Sequence, residues 1–259
     1  LQNPASIPYS ETFETWPNGW SIVNGSQTNK WAVGTATAHA GTQSAYISND
    51  SGTTNAYSHT SSVVHAYRDI TFPSSSNSFG LSFYYKGQGE SGWDDLKVYL
   101  VSTSTTPSAG TSLSSGQIGT AYGLNASWQN VNLTLANTYA NQTWRLVFSW
   151  RNDGSGGTQP PIAVDDISIV ELPCVPPSTL TATSITNTTA NLGWTAGGSE
   201  TTWNVEYGPS GFTQGTGTTV AGTTSNPLSI SGLTSNTAYH FYVQADCGGS
   251  GTSTWAGPF

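Results

Sequence analysis

IAVDDISIV, residues 162–170, decides how the first two-thirds of this chain reads, because two adjacent aspartates interrupt what is otherwise a buried strand. Apolar residues occupy even positions before the pair (Ile162, Val164) and odd positions after it (Ile167, Ile169), so the two-residue side-chain period slips by one. Such a slip predicts a β-bulge, which re-aims a side chain, and we expect one of Asp165 and Asp166 to turn inward toward the edge of the core. A carboxylate buried among Ile and Val needs hydrogen-bond donors or a cation. A second acidic strand, SETFETW at 10–16, carries Glu11 on the side of Phe13 and Glu14 on the other. If the first and last strands are neighbours, carboxylates from both ends of the domain converge, and hard, all-oxygen surroundings favour calcium. HAGTQSAYISND adds Ser44, Asn49 and Asp50 as loop oxygens, although these residue types also suit ordinary turns. The expected ligands of a structural calcium ion are Glu11, Ser44, Asn49, Asp165 and Asp166.

The 259 residues suffice for one large all-β domain or two ordinary ones. With 29 Gly, 13 Pro, 12% aromatic residues, no Met and only 8% charged residues, few helix formers remain, so the expected class is all-β. A net charge of −8 from 14 acids and 6 bases argues against nucleic acid or an anionic membrane as partner. It also makes anionic polysaccharides the less favoured glycans unless a metal bridges them. No apolar run approaches the roughly 20 residues of a membrane span. The opening LQNPASIPYS has neither a basic nor an apolar signal region, so we read the chain as a segment of a longer precursor whose export signal lies elsewhere. Two cysteines and loops rich in Ser, Thr and Gly suit a secreted or cell-surface setting.

Strand patterns follow one another from the WPNGW turn at 16–20 onward: NKWAVG at 29–34, SAYISN at 44–49 and VVHAYRDITF from 63. GLSFYYK at 80–86 places Leu81, Phe83 and Tyr85 on one face, and DLKVYLV at 95–101 does the same for Leu96, Val98 and Leu100. The small-residue stretch 102–127 is expected to connect strands across one end of a sandwich. WQNVNLTL at 128–135 and WRLVFSW at 144–150 follow, the latter with Leu146, Phe148 and Trp150 inward, and NDGSGGTQPP leads into the aspartate strand. Alternating strands without helical periodicity predict an antiparallel jelly-roll sandwich. LPCVPP at 172–177 reads as a stiff linker, giving domains at 1–171 and 172–259. Trp20, Trp128, Trp150, Trp194 and Tyr239 are most simply core residues, and Leu233 before Tyr239 suits a tyrosine corner.

Two resemblances accompany these patterns. Residues 174–259, from the first cysteine to the terminal CG…S.W..PF run, resemble a bacterial fibronectin type III domain, a smaller immunoglobulin-like sandwich. The resemblance implies that Cys174 and Cys247 pair, and closing so long a loop is worth roughly 4 kcal/mol in the chain-entropy model. The ordered set ETFE…W, SAYIS, DDLKVYLVS, W..VNLTL, FSWRNDGSGG and AVDDISI, covering about residues 8–171, resembles the cleaved-adhesin jelly rolls of secreted bacterial peptidases, relatives of MAM domains. It implies a calcium-stabilised module that accompanies a catalytic domain without being an enzyme, with Glu11 and one of Asp165 and Asp166 as ligands.

His39, His59, His65 and His240 show no HExxH spacing, and there is no GxSxG motif. The acid pairs Glu11/Glu14, Asp94/Asp95 and Asp165/Asp166 do not supply two opposed carboxylates on a regular strand, although Glu90 and Asp94 share one loop. Binding is the better reading, since 10 Trp and 12 Tyr exceed what two small cores need. Sugar rings stack CH faces on aromatic planes, and the candidate ligand-binding residues are Trp93 with Glu90, Asp94 and Asp95, and Tyr57 and Tyr67 near Arg68. Trp93 could equally pack under its own loop. We therefore expect a monomeric, non-catalytic, carbohydrate-binding module pair from a secreted multidomain bacterial hydrolase, bound to polysaccharide or cell-surface glycan and linked to a catalytic domain of the same precursor. The alternative is a protein-binding adhesin or structural segment of a secreted peptidase or surface adhesin.

Overall fold

A computed structural model describes residues 3–74, 78–198, 200–248 and 251–259, which leaves Gly249 and Ser250 of the CG…S.W..PF run outside it. The chain divides into two compact units, one running to Glu171 and the other from Leu172 to Phe259. The first contains β1 (Ala5–Ser6), β2 (Tyr9–Glu11), β3 (Ser21–Val23), β4 (Lys30–Gly34), β5 (Ser44–Ser48), β6 (Ser62–Thr71), β7 (Ser78–Gly87), β8 (Asp95–Ser102), β9 (Gln117–Tyr122), β10 (Asn125–Leu135), β11 (Thr143–Asn152) and β12 (Ala163–Leu172). One sheet has the order β1-β6-β11-β8-β9 with β3 also on β6, and the other the order β10-β7-β12-β5-β4 with β2 also on β12. The first and last main strands are thus neighbours, Glu11 lying opposite Ile167.

The alternation in the sequence sets the core. Leu81, Phe83 and Tyr85 of β7, Leu96, Val98 and Leu100 of β8, and Leu146, Phe148 and Trp150 of β11 all enter one cluster between the sheets, with Trp20. Fully burying a large apolar side chain is worth about 1.5–3 kcal/mol, so these alternating rows dominate the stability of the sandwich. The stretch 102–127 does not simply cross one end. Its second half forms β9 on β8, and Leu113 packs with Tyr67, Tyr99, Val101 and Val147 on the outer face of the first sheet. His65 fastens this cover: its Nε2–H donates to Ser108 O and Thr111 O at 3.1 and 3.2 Å.

The second unit has β13 (Ser178–Thr183), β14 (Thr189–Thr195) and β17 (Leu228–Ser231) in one sheet, and β15 (Thr202–Pro209), β16 (Thr218–Thr223) and β18 (Tyr239–Asp246) in the other. Trp194 and Trp203 meet edge to face at 5.4 Å within its core. Cys174 and Cys247 are bonded, closing a separation of 73 residues. Tyr239 is half-buried and not a core residue; its hydroxyl accepts the Thr234 N–H at 3.0 Å, which is the bond a tyrosine corner makes.

Candidate functional site

The aspartate bulge forms, but both side chains leave the core. Ile162 and Val164 before it and Ile167 and Ile169 after it are the core positions, so the slip puts Asp165 and Asp166 on the outer face together, with Asp166 at φ 48°. The expectation that one aspartate turns toward the core is corrected on this point. Asp165 is nonetheless fully buried, because the loop at 35–43 lies over it. Its Oδ2 accepts the His39 N–H and its Oδ1 the Asp166 N–H, both at 2.8 Å. Burial pushes its pKa up to about 6, against the opposing pull of these two bonds.

The other acids grip the same loop or their own turn. Glu14 accepts the Thr42 N–H, the Thr42 hydroxyl and the Gln43 N–H at 2.7–2.8 Å. Asp166 meets the His39 ring at 2.6 Å, and Ser44 donates to Thr37 O at 2.6 Å. Carboxylates from both ends of the domain therefore converge on backbone N–H groups. Glu11 stands apart from this loop, buried, accepting from Phe13 N at 2.7 Å and Tyr9 at 3.2 Å, and its carboxyl is raised by burial. Asn49 is exposed. Asp50, held down to about 2 by hydrogen bonds from Ser48 and Thr54, closes its own turn. Among the described residues no three acidic, His or Cys side chains are grouped to hold a metal. Of the expected calcium set, Glu11 and Asp165 accept backbone N–H bonds, Asp166 meets the His39 ring, Ser44 donates to Thr37 O, and Asn49 is exposed.

The expected ligand-binding residues are dispersed. Trp93 is exposed, at 55%, on a turn, but its neighbours point inward. Asp94 is buried, accepting from Tyr57 OH at 2.6 Å and Asp153 N at 3.2 Å, and burial raises its carboxyl. Asp95 is buried in a two-bond pair with Arg151 at 3.0 and 2.8 Å. Tyr57 is core, and an oxygen of Glu90 is shielded from solvent. Tyr67 lies under the Arg145 guanidinium at 4.3 Å, on the outer face of the first sheet, while Arg68 donates to Gly19 O at 2.9 Å. These residues form no common surface: Asp94 and Asp95 beside Trp93 are taken up by Tyr57, the Asp153 N–H and Arg151, and an oxygen of Glu90 is buried without a hydrogen-bond partner among the described residues.

A different surface is assembled on the outer face of the second sheet. In β7 the residues that alternate with Leu81, Phe83 and Tyr85 face outward, which leaves Ser82, Tyr84 and Lys86 half-buried on that face; in β10, Asn130 lies opposite Tyr84 and Asn132 opposite Ser82. Trp128 shares this outward parity and is half-exposed, which corrects its assignment to the core. His39, held by Asp166, stacks on Tyr84 at 3.6 Å and 15°, and meets Trp128 near edge-on at 5.7 Å and 69°. Lys86 Nζ is 5.4 Å from the Trp128 ring centroid. Asn132 donates to Asn130, so a polar amide pair extends the aromatic strip along β10. The arrangement presents aromatic planes flanked by donors and acceptors on a rigid sheet.

A MAM domain (meprin/A5/mu) family model matches residues 12–175, and a fibronectin type III model matches 175–258. No curated protein matches the chain. Among solved structures, the xylan-binding CBM22-1 domain of Paenibacillus barcinonensis Xyn10C is 15% identical, with 66% of this chain and 97% of that one covered at a TM-score of 0.40. The K1 cleaved adhesin domain of Lys-gingipain from Porphyromonas gingivalis W83 is 19% identical, with 62% and 96% covered at 0.37. A two-domain fibronectin type III segment of chicken tenascin is 14% identical, with 76% and 90% covered at 0.31. The chain belongs to the MAM domain family, its MAM domain followed by a fibronectin type III domain.

Proposed function

We propose that the first domain is a non-catalytic carbohydrate-binding module that targets a polysaccharide or cell-surface glycan. In this reading the fibronectin type III domain is a spacer, and the pair serves a catalytic domain of a secreted multidomain hydrolase. The observation that carries the reading is the strip of Tyr84, His39 and Trp128 beside Asn130 and Asn132. Aromatic residues at the solvent-facing positions of a strand contribute nothing to the core between the sheets. Aromatic planes bordered by side-chain amides suit the alternation of CH faces and hydroxyls on a sugar ring. The strip lies open along the sheet, which suits an internal stretch of a polymer better than a chain end.

Gel retardation in native electrophoresis through embedded polysaccharides tests this. Retardation that Trp128→Ala abolishes and Trp93→Ala leaves intact is the expected result. Retardation lost only in Trp93→Ala would return the site to the exposed turn. No retardation on any polysaccharide would favour the adhesin reading, in which the same strip contacts protein.

A further inference from the structure

The partly buried arginines of the first domain have counter-groups, whereas the two partly buried lysines, Lys86 and Lys97, have none among the described residues, and of these Lys86 lies on the aromatic strip. Arg145 pairs with Asp69 at 2.7 Å, Arg151 with Asp95 at 2.8 Å, and Arg68 with the Gly19 carbonyl. Lys86, half-buried on the aromatic strip, has neither a carboxylate nor a hydrogen-bond acceptor among the described residues; its one neighbour of note is the Trp128 ring at 5.4 Å. That distance is near the outer limit of a cation–π contact, so the ammonium is only weakly held. Burial depresses its pKa, as expected for a charge removed from water without a partner. Lys30, by contrast, is exposed and stays hydrated. The remaining charge on the strip, Asp166, is already engaged by His39.

We propose that the glycan held by the strip carries carboxylates, as a chain containing hexuronic acids does, and that Lys86 is the residue that selects it. This rests on the carbohydrate-binding reading above and adds the ligand's charge class. A uronic acid places a carboxylate at the edge of a pyranose ring whose CH face can stack on Trp128, and the flexible lysine stem can bring its ammonium to that edge. The overall charge of −8 disfavours polyanions at long range, but at physiological ionic strength interactions between exposed charges fade beyond about 8 Å. The sign of the nearest unpaired charge then decides specificity.

The test uses the whole 259-residue chain in affinity electrophoresis against polygalacturonate, alginate and glucuronoxylan, each beside its carboxyl-reduced form, in which the rings are kept and the charge removed. The acidic form of at least one should bind about ten-fold or more tightly than its reduced form, the range of a charge-assisted hydrogen bond. Lys86→Gln should equalise the two, Lys86→Arg should retain the preference, and added salt should erode it. Equal binding of acidic and reduced forms, or a preference that survives Lys86→Gln, overturns the assignment to Lys86 while sensitivity to Trp128→Ala still upholds the strip. Absence of binding to both forms overturns the strip and the charge class together.

Discussion

Asp165→Asn probes the buried carboxylate beneath the 35–43 loop. The folded-state pKa of about 6 stands about two above the ordinary aspartate value. A raised carboxyl pKa means the folded state holds its proton more tightly than the unfolded chain. The stabilisation is therefore complete below about pH 4 and is lost as pH rises to about 6, after which it stays lost. At 1.36 kcal/mol per pH unit the swing is about 3 kcal/mol. Asparagine does not titrate, although it presents only one acceptor to the two N–H groups of His39 and Asp166, which adds an offset nearly independent of pH. The quantity to measure is the wild-type minus variant stability of the first domain, from hydrogen exchange of peptides covering 162–170 across a urea series at pH 4 to 8. That difference should fall by about 3 kcal/mol between pH 4 and 7. A difference flat with pH, or rising with it, would refute the burial argument. Millimolar calcium should leave the profile unchanged. If calcium reverses the slope, the carboxylate is ionised by a cation that displaces the N–H donors.

Reducing the disulfide, or replacing both Cys174 and Cys247 by serine, should destabilise the second domain by about 4 kcal/mol, read as a lower urea midpoint, given the 73-residue separation. His65 is fully buried, its Nδ1 lacks a partner, and burial lowers its pKa. Its stabilisation is present above the unfolded value of about 6.5 and is lost as pH falls through the lower folded value, so acid should loosen residues 108–111 in hydrogen exchange. His65→Gln should flatten that dependence. Gly157 has φ 80°, and a Cβ there would overlap the Tyr57 hydroxyl and the Asp94 carboxylate; Gly157→Ala should cost at least about 1–3 kcal/mol in thermal or chemical unfolding.

Much of the fold was legible because burial on a strand enforces a period of two. The rows Leu81-Phe83-Tyr85 and Leu146-Phe148-Trp150 could face nothing but a core, and the core is where they lie. The slip at 162–170 announced a bulge on the same grounds. What period alone could not supply was the cover. Residues 35–43 contain nothing apolar larger than alanine, yet their backbone N–H groups bury Asp165 and satisfy Glu14. A carboxylate cannot reveal from sequence whether its donors are amides or a cation, because both meet the same electrostatic need.

The binding strip was hidden by a different habit of reading, in which tryptophan means core. The signal lay in parity. In WQNVNLTL, Val131, Leu133 and Leu135 share one face, so Trp128 falls with Asn130, Asn132 and Thr134 on the other. In GLSFYYK the same count sends Tyr84 outward with Ser82 and Lys86. An aromatic residue at a polar position of one strand is unremarkable, but two on adjacent strands, Tyr84 opposite Asn130 and Trp128 two residues before that asparagine, make a surface with His39 against both. Trp93 misled for the complementary reason. It carries acids beside it in sequence, but Asp94 and Asp95 answer to Tyr57 and Arg151, so adjacency along a turn did not become adjacency in a site. Register between strands, more than proximity along the chain, is what brings functional groups together in a sandwich.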